Sequence, residues 1–212
     1  MKFYFFPPSP NVRKVNAVIS HLDIKGIERK IVNLAKGEHK QPAFLAINPM
    51  GRLPAMVDDD ALVLWESNAI CLFLCERQGD TPLYPRDPRV RADIARWLFW
   101  EASSLSPVAE TLTHENVRKP MLGVGEPDPT RVKQGEEQFR PLARLLNDEL
   151  AKRQFLVGNS VTLADFVVGG AMTYLERGRF PTAEFPHLEA WWTRLNQIPA
   201  WKQTIPSADL PS

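Results

Sequence analysis

The chain has 212 residues, 44% of them apolar and 24% charged, and its formal net charge at pH 7 is +1. This length suits one large or two small domains, and the composition is typical of a soluble globular protein with a real hydrophobic core. A net charge this close to zero provides no electrostatic argument for nucleic acid or for a membrane surface as a partner.

The opening segment MKFYFFPPSP has too short an apolar stretch for a secretory signal, and no apolar run is long enough to cross a bilayer. The two cysteines, Cys71 and Cys75, are too few for a disulfide framework, so a cytoplasmic, reducing location is expected. They could form a redox pair on one helix, but two buried, inert side chains are the favoured interpretation. The histidines lack the spacing of metal ligands, so no metal site is predicted.

Strand and helix signals alternate at the start of the chain. Lys2–Phe6 reads as a short strand, and Glu28–Leu34 reads as a second strand centred on Ile31 and Val32. Between them, apolar residues recur every three or four positions from Asn11 onward, which indicates a helix with one buried face. A β-α-β order of this kind favours a parallel pair of strands joined by a crossover helix.

A predicted hairpin and helix complete this first part. Ala55–Val57 and Ala61–Leu64 flank three consecutive aspartates, a pattern that predicts two strands joined by an acidic turn. Ser67–Arg77 then reads as a helix. The order β-α-β-loop-β-β-α predicts a small α/β domain over residues 1–78.

Proline and glycine concentrate in residues 79–88, which are predicted to be the linker to a second domain over residues 89–212. Beyond this linker, apolar residues keep helical spacing and strand signals nearly vanish, which predicts an all-α bundle. Pro141 falls inside one predicted helix and indicates a kink or a late start. Thr162 and Asp165 resemble a capping box at the start of another helix.

Ser9 is the first residue that could carry chemistry, because PPSPNVRKV places it directly after a strand and before a helix. Unpaired N–H groups at a helix start carry partial positive charge, so a hydroxyl there can help to bind an anion. A turn or N-cap serine is the more ordinary interpretation of this segment alone.

Leu53-Pro54 is the second such feature. Proline cannot donate to a strand ladder, so it belongs at a strand start or edge. If this bond is cis, Leu53 could offer its N–H and C=O to a peptide-like ligand as an added strand. A trans turn is the ordinary alternative, because cis bonds before proline are a small minority.

Glu66-Ser67 is the third feature, at the start of the predicted helix. N–H groups there suit a carboxylate, and a glutamate beside them suits an ammonium group. A capped helix with an acidic first turn is the simpler interpretation. The three features together, however, could line one groove for a short acidic peptide with a free amine.

The motifs SPNVRKV, GEHKQPAFLAINPMGRLPAM, LWESNAI and FLVGNSVTLADF occur in the order and approximate spacing of the cytosolic glutathione transferases. The chain resembles this family over essentially its whole length, and the patterns most like it are the serine-type classes: theta, phi and related bacterial enzymes. The resemblance implies a thioredoxin-like α/β N-terminal domain plus an all-α C-terminal helical bundle, usually in a homodimer. It implies a detoxification enzyme that uses glutathione as co-substrate.

The resemblance also implies roles for single residues. Ser9 matches the serine that hydrogen-bonds the glutathione sulfur, and Asn11 is the alternative sulfur partner. Asp165 matches the capping aspartate that supports folding of the helical domain. The other implied glutathione contacts are His39 and Lys40 at the glycine carboxylate, Arg52 where related classes often have glutamine, Leu53 before the cis-proline Pro54 at the cysteinyl part, and Glu66 and Ser67 at the γ-glutamyl amine and carboxylate.

The expected chemistry is conjugation of glutathione to a small, apolar electrophile. A thiolate is required, and lowering a thiol pKa from about 8.5 by about 2 takes about 2.7 kcal/mol, which a hydroxyl bond and a helix start could supply. The electrophile pocket is expected between the loop at Phe6-Pro7-Pro8 and the helix around Trp100–Thr113. Trp97 and Trp100 could line it, although packing is the favoured interpretation for both.

Other functions use the same glutathione residues. A glutathione-dependent peroxidase, disulfide reductase, isomerase or dehalogenase would differ only in the second pocket. A non-catalytic binding protein on the same fold is the third possibility. The absence of a cysteine near Ser9 argues against the cysteine-type thiol transferases of this fold.

Overall fold

The structure is a computed structural model, and it describes residues 1–34 and 36–206. The chain divides into two compact units. The first contains Met1–Thr81 together with the described residues from Pro199 onward, and the second is Pro82–Ile198.

The first unit is built on a sheet. The strands and helices of its first 81 residues are β1 (Lys2–Phe5), α1 (Pro10–His21), β2 (Glu28–Ile31), a 3₁₀ turn (Glu38–Lys40), α2 (Pro42–Leu45), β3 (Ala55–Val57), β4 (Val63–Trp65) and α3 (Ser67–Gln78). Within the described residues the sheet has four strands in the order β2–β1–β3–β4. β1 pairs with β2 in parallel and with β3 in antiparallel register, so the predicted β-α-β opening is confirmed.

The second strand is shorter than predicted. It ends at Ile31, and Ile31 is 53% exposed because β2 is an edge strand of the sheet. Val32 leaves the strand but still donates its N–H to the carbonyl of Phe5 at 2.9 Å and is buried. The prediction that both side chains form the centre of a strand is therefore wrong for this edge position.

The predicted hairpin is present, with a longer turn. Asp58 Oδ1 accepts the N–H groups of Asp60 at 2.9 Å and Leu62 at 2.8 Å. Ala61 has a φ of 64° and belongs to this turn, so β4 begins at Val63 rather than at residue 61. An aspartate that binds the N–H groups of following residues is a common way to close a turn.

Helices α1 and α3 pack against each other in the first unit. The apolar face predicted for α1 is buried at Val12, Val15 and Ile19. On α3, Cys71 and Cys75 are completely buried and form no disulfide. Burial supports the interpretation of these cysteines as core side chains.

The secondary-structure elements described in the second unit are helices. They are α4 (Pro88–Trp100), a π segment (Glu101–Leu105), α5 (Ser106–Thr113), a second π segment (His114–Arg118), α6 (Lys119–Leu122), α7 (Pro129–Leu150), α8 (Leu163–Ala171) and α9 (Pro186–Gln197). The prediction that helices dominate this part is confirmed. Residue 141 does not delay α7, because the helix begins at Pro129 and continues on both sides of Pro141. A kink there stays a prediction.

Asp165 connects three parts of the second unit. Its carboxylate accepts hydrogen bonds from the N–H of Thr162 at 2.8 Å, the N–H of Leu156 at 2.9 Å and the indole of Trp191 at 2.8 Å. With Thr162 it forms the predicted capping box at the start of α8. Complete burial raises the pKa of the Asp165 carboxyl, and these hydrogen bonds oppose that effect.

The last described residues differ from the sequence-based boundary. Helix α10 (Pro199–Lys202) packs on α1 and belongs to the first unit, although residues 89–212 were predicted to form one helical domain. The guanidinium of Arg13 lies 3.8 Å from the ring centroid of the buried Trp201. A cation stacked on an indole attracts it electrostatically, so this contact helps to hold α10 on the first unit. Residues 207–212 of the predicted domain lie outside the described residues.

Candidate functional site

Three predicted site segments lie at one end of the sheet. Tyr4, which directly precedes the last residue of β1, is paired with Ala55, the first residue of β3. Ala55 is also paired with Trp65, the last residue of β4. The segment after β1, the residues before β3 and the residues after β4 therefore leave the sheet at the same end. Those segments carry Ser9, Leu53-Pro54 and Glu66-Ser67 respectively.

Ser9 occupies the N-cap position of α1 but does not cap the helix with its side chain. Its N–H donates to the carbonyl of Phe6 at 3.0 Å, and its own carbonyl accepts the N–H groups of Val12 and Arg13 at 3.1 Å. The half-buried hydroxyl is thus held at the positive end of a helix without being used as a cap. Ser9 is thus an N-cap and turn residue by its backbone, as the ordinary interpretation expects, but its hydroxyl makes no capping bond.

Leu53 lies at the same end of the sheet, and its backbone N–H and C=O are available to a ligand. The Leu53–Pro54 bond is cis, as the resemblance implied. Among residues 1–34 and 36–206, neither the N–H nor the C=O of Leu53 has a hydrogen-bond partner. A donor and an acceptor on one residue, next to the start of β3, are the groups that an extended peptide ligand pairs with.

Glu66 and Ser67 form the start of α3. Glu66 is exposed and has a φ of 70°, which is uncommon for a residue with a side chain. Ser67 is 7% exposed, and its hydroxyl donates to Oδ1 of Asn11 at 3.3 Å. The structure therefore brings Asn11 next to Ser67, a relationship that the sequence did not predict.

His39 and Lys40 lie in the 3₁₀ turn of the first unit. Lys40 is exposed. His39 is half-buried, and its Nδ1 is a buried atom without a hydrogen-bond partner among the residues that the structure describes. A buried ring nitrogen with no partner is uncommon in a native protein. It is consistent with a polar ligand as the missing partner.

The turn that carries Arg52 is fixed by a buried asparagine. Asn48 Nδ2 donates to the carbonyl of Arg52 at 2.7 Å, and Asn48 Oδ1 accepts the N–H of Met50 at 3.0 Å. Arg52 itself is exposed. Sequence reasoning missed Asn48, although its position just before a Pro-x-Gly segment is a turn signal.

The remaining candidates have a plainer role. Trp97 is 1% exposed and Trp100 is half-buried, and their rings meet edge to face with centroids 5.3 Å apart. Packing accounts for Trp97, in agreement with the favoured interpretation of the sequence.

Within the described part of the chain, no group of three or more histidine, cysteine or acidic side chains could hold a metal ion. No described helix is both long and apolar enough to span a membrane.

Comparisons with known proteins agree with this architecture. Residues 8–77 match the family model for the glutathione S-transferase N-terminal domain, and residues 105–199 match that for the C-terminal domain. Glutathione S-transferase 3 of Zea mays is 35% identical, over 100% of this chain and 96% of its own length. The chain belongs to the glutathione S-transferase family, and its fold is the expected thioredoxin-like α/β domain followed by a helical domain.

Solved structures extend the comparison. Glutathione transferase F2 of Populus trichocarpa superposes with a TM-score of 0.87 at 30% identity, covering 96% of both chains. A structure of glutathione S-transferase I bound with lactoylglutathione has a TM-score of 0.84 at 26% identity, covering 96% of this chain and 97% of its own.

Proposed function

We propose that this protein is a glutathione transferase that binds glutathione at the described end of the sheet and activates it as a thiolate. The observation that carries the proposal is the Ser9 hydroxyl, which lies at a helix start and makes no capping bond. A hydrogen bond from this hydroxyl and the partial positive charge of α1 both favour the anionic form of a bound thiol.

Each part of glutathione has a proposed partner. The cysteinyl backbone pairs with the N–H and C=O of Leu53, in antiparallel fashion beside Pro54. The glycine carboxylate is bound by basic side chains of the 3₁₀ turn and of the turn before Leu53. The γ-glutamyl group is bound at the start of α3. The residues proposed for these two ends are His39, Lys40 and Arg52 for the glycine carboxylate, and Glu66 and Ser67 for the γ-glutamyl group. The lactoylglutathione in the related structure supports a glutathione-type ligand for this fold.

In the reaction, the glutathione sulfur forms a bond to an electrophilic carbon of the second substrate. A leaving group departs with the bonding electrons, or, in an addition, solvent supplies a proton to the product. Ser9 stabilises the thiolate and does not form a covalent bond. The second substrate is proposed to be a small apolar electrophile, bound by the helical unit around Trp100–Thr113.

The finer assignments are part of this proposal. The chain is proposed to be of the serine type, because its two cysteines are buried in α3 and neither is Ser9's neighbour. Its resemblance to bacterial theta- and phi-like members rests on the sequence motifs. The Zea mays relative and the Populus trichocarpa structure are plant proteins. A cytoplasmic homodimer is proposed from the family resemblance.

The first experiment measures the ultraviolet absorbance of bound glutathione thiolate against pH for wild type and Ser9→Ala. We expect a bound-thiol pKa below the free value in wild type and a return toward it in Ser9→Ala. Ser20→Ala is the matched control, because Ser20 lies near the other end of α1 and its hydroxyl accepts from Gln203. Saturating glutathione binding with an unshifted thiol pKa in wild type would refute thiol activation.

A further inference from the structure

Helix α10 and the residue after it contact α1 at two places, one near each end of α1. The guanidinium of Arg13 lies 3.8 Å from the ring centroid of Trp201. The side-chain amide of Gln203 donates to the hydroxyl of Ser20. Arg13 and Ser20 are separated by about 10 Å along the helix axis, at a rise of about 1.5 Å per residue. The same short segment therefore holds α1 along most of its length.

The contact near the start of α1 is buried. Arg13 is 3% exposed and Trp201 is 0% exposed. A guanidinium that is removed from water is attracted to the face of an indole more strongly than an exposed one. Trp201 is itself held in a closed turn, because its carbonyl accepts from the hydroxyl of Thr204 at 2.7 Å. The stacked pair is therefore a fixed point for the beginning of α1.

Arg13 is joined to Ser9 through the backbone. Its N–H donates to the carbonyl of Ser9 at 3.1 Å, as does the N–H of Val12. The Ser9 side chain makes no capping hydrogen bond, so the position of its hydroxyl depends on the backbone of this turn. Because helix ends fray more readily than helix centres, a contact that holds Arg13 also holds Ser9.

We propose that Trp201 is a positioning residue for thiol activation: by stacking on Arg13, it holds the first turn of α1 so that the Ser9 hydroxyl meets the sulfur of bound glutathione. This inference rests on the proposed function, since it concerns the same hydroxyl. A hydrogen bond weakens steeply when its angle departs from the preferred range. Loosening this turn therefore lowers the thiolate fraction and leaves the groups that bind the peptide part of glutathione in place.

The bound-thiol pKa tests this role, measured by the ultraviolet absorbance of glutathione thiolate in wild type and Trp201→Leu. We expect Trp201→Leu to raise this pKa by about 0.5, toward the value in Ser9→Ala, which is about a threefold loss of thiolate at a pH below the pKa. Trp201→Phe keeps an aromatic face and most of the buried volume. It should raise the pKa by less, and it provides the test if Trp201→Leu does not fold.

Gln203→Ala is the matched control, because it removes the contact of the same segment near the other end of α1. It should leave the bound-thiol pKa unchanged, even where it lowers the urea midpoint. None of these substitutions changes a charge: Arg13 remains in every variant, as do Lys202 on α10 and Glu76 and Arg77 on α3. A raised thiol pKa therefore reports the position of Ser9 and not a lost charge.

Two further measurements separate positioning from a general loss of structure. S-methylglutathione has a blocked sulfur that cannot become a thiolate, so wild type and Trp201→Leu should bind it with the same affinity in calorimetry. In the Ser9→Ala background, Trp201→Leu should cause no further rise of the thiol pKa, because Trp201 acts through Ser9. Circular dichroism of every variant checks that the helices remain.

The outcomes separate the two proposals. If wild type binds glutathione to saturation with the pKa of the free thiol, both the proposed function and this inference fail. The inference fails alone if the Trp201 variants keep the wild-type pKa, if Gln203→Ala raises it equally, if S-methylglutathione binding weakens as well, or if the effects of Ser9→Ala and Trp201→Leu add. A raised pKa in Trp201→Leu, with unchanged S-methylglutathione affinity and no further rise in Ser9→Ala, supports it.

Discussion

Gly51 lies against the backbone of His39, so closely that a Cβ on Gly51 would be 3.1 Å from the His39 carbonyl oxygen. Gly51 also has a φ of 59°, a conformation that other residues adopt only with strain. This contact packs the turn that carries Arg52 on the 3₁₀ turn that carries Lys40. The side chains proposed for the glycine carboxylate of glutathione, His39, Lys40 and Arg52, are thereby held in one region, although His39 and Arg52 come from separate segments of the sequence.

Gly51→Ala should weaken glutathione binding as well as stability. The positive φ alone costs about 1 kcal/mol for alanine, and the methyl group would also push the segment at His39 away. We expect a lower urea midpoint and a several-fold higher dissociation constant for glutathione, measured by denaturation and calorimetry.

Gly37→Ala is the control for backbone strain. Its φ is 71°, and a Cβ there meets no described atom within 4 Å. It should lower the urea midpoint while leaving glutathione affinity nearly unchanged. Equal loss of affinity in the two variants would show that the Gly51–His39 contact does not organise the site.

Glu66 combines a strained backbone with a proposed ligand contact. Its φ of 70° belongs to a sparsely populated region, and such strain costs about 1–3 kcal/mol. Glycine relieves the strain and alanine does not, whereas both remove the carboxylate. We expect Glu66→Gly to be more stable than Glu66→Ala by about 1 kcal/mol in urea denaturation.

Both Glu66 variants should lose glutathione affinity to a similar extent, because both lack the proposed partner of the γ-glutamyl ammonium. Glu76→Ala, at an exposed position near the other end of α3, removes the same charge away from the site and provides the reference. Unchanged affinity in Glu66→Ala would exclude Glu66 from the site.

The sequence predicted the fold well wherever the signal for a helix or turn lies within a few neighbouring residues. The three-to-four-residue spacing in α1 and the aspartates of the hairpin are signals within a few residues, and both elements formed. The end of β2 and the start of β4 were placed wrongly, because Ile31 is at a sheet edge and Ala61 adopts a positive φ. Neither the strand order nor a turn's dihedral angles can be deduced from apolar spacing.

In the candidate site, too, the sequence could identify residues next to strand ends but not contacts that depend on packing. Ser9, Leu53 and Glu66 could be selected from sequence because each adjoins a strand end, and strand pairing then places those ends together. The contact of Ser67 with Asn11 could not be predicted, since it depends on how α1 packs on α3. The packing of α10 on the first unit likewise depends on Arg13 meeting Trp201, which no local pattern indicates.

Asp165 should be among the most important residues for stability in the second unit. Asp165→Ala would leave the buried N–H groups of Leu156 and Thr162 and the indole of Trp191 without their acceptor. Each buried donor left unpaired costs about 1–3 kcal/mol, so we expect a loss of roughly 3–5 kcal/mol in the free energy of unfolding. Urea denaturation monitored by circular dichroism measures it.

Asp128→Ala gives the comparison with an ordinary helix cap. Asp128 Oδ1 accepts the N–H of Thr130 at 2.9 Å at the start of α7, and the residue is only half-buried. Its loss should cost about 1 kcal/mol, because water can replace the cap. If the two variants were equally stable, burial would not be the source of Asp165's importance.

Glu115 should make the stability of the second unit depend on pH. It is completely buried in the second π segment, where its carboxylate accepts the N–H of Asp128 at 2.9 Å and pairs with Lys119 at 2.5 Å. Burial by itself raises the pKa of this carboxyl, but the N–H of Asp128 and the ammonium of Lys119 outweigh it and lower the pKa below its ordinary value.

The sign of the effect follows from that direction. A carboxyl with a lowered pKa in the folded protein contributes stability above its unfolded pKa, and it loses this contribution as the pH falls through the folded pKa. Glu115→Gln should therefore have a lower urea midpoint than wild type at pH 7, and the difference should shrink as the pH is lowered through the acidic range. Glu137→Gln removes an exposed glutamate that pairs with Lys133 at 3.9 Å, so its midpoint should follow wild type throughout. A constant difference between Glu115→Gln and wild type at every pH would mean that packing of the side chain, and not its charge, holds this segment to the start of α7.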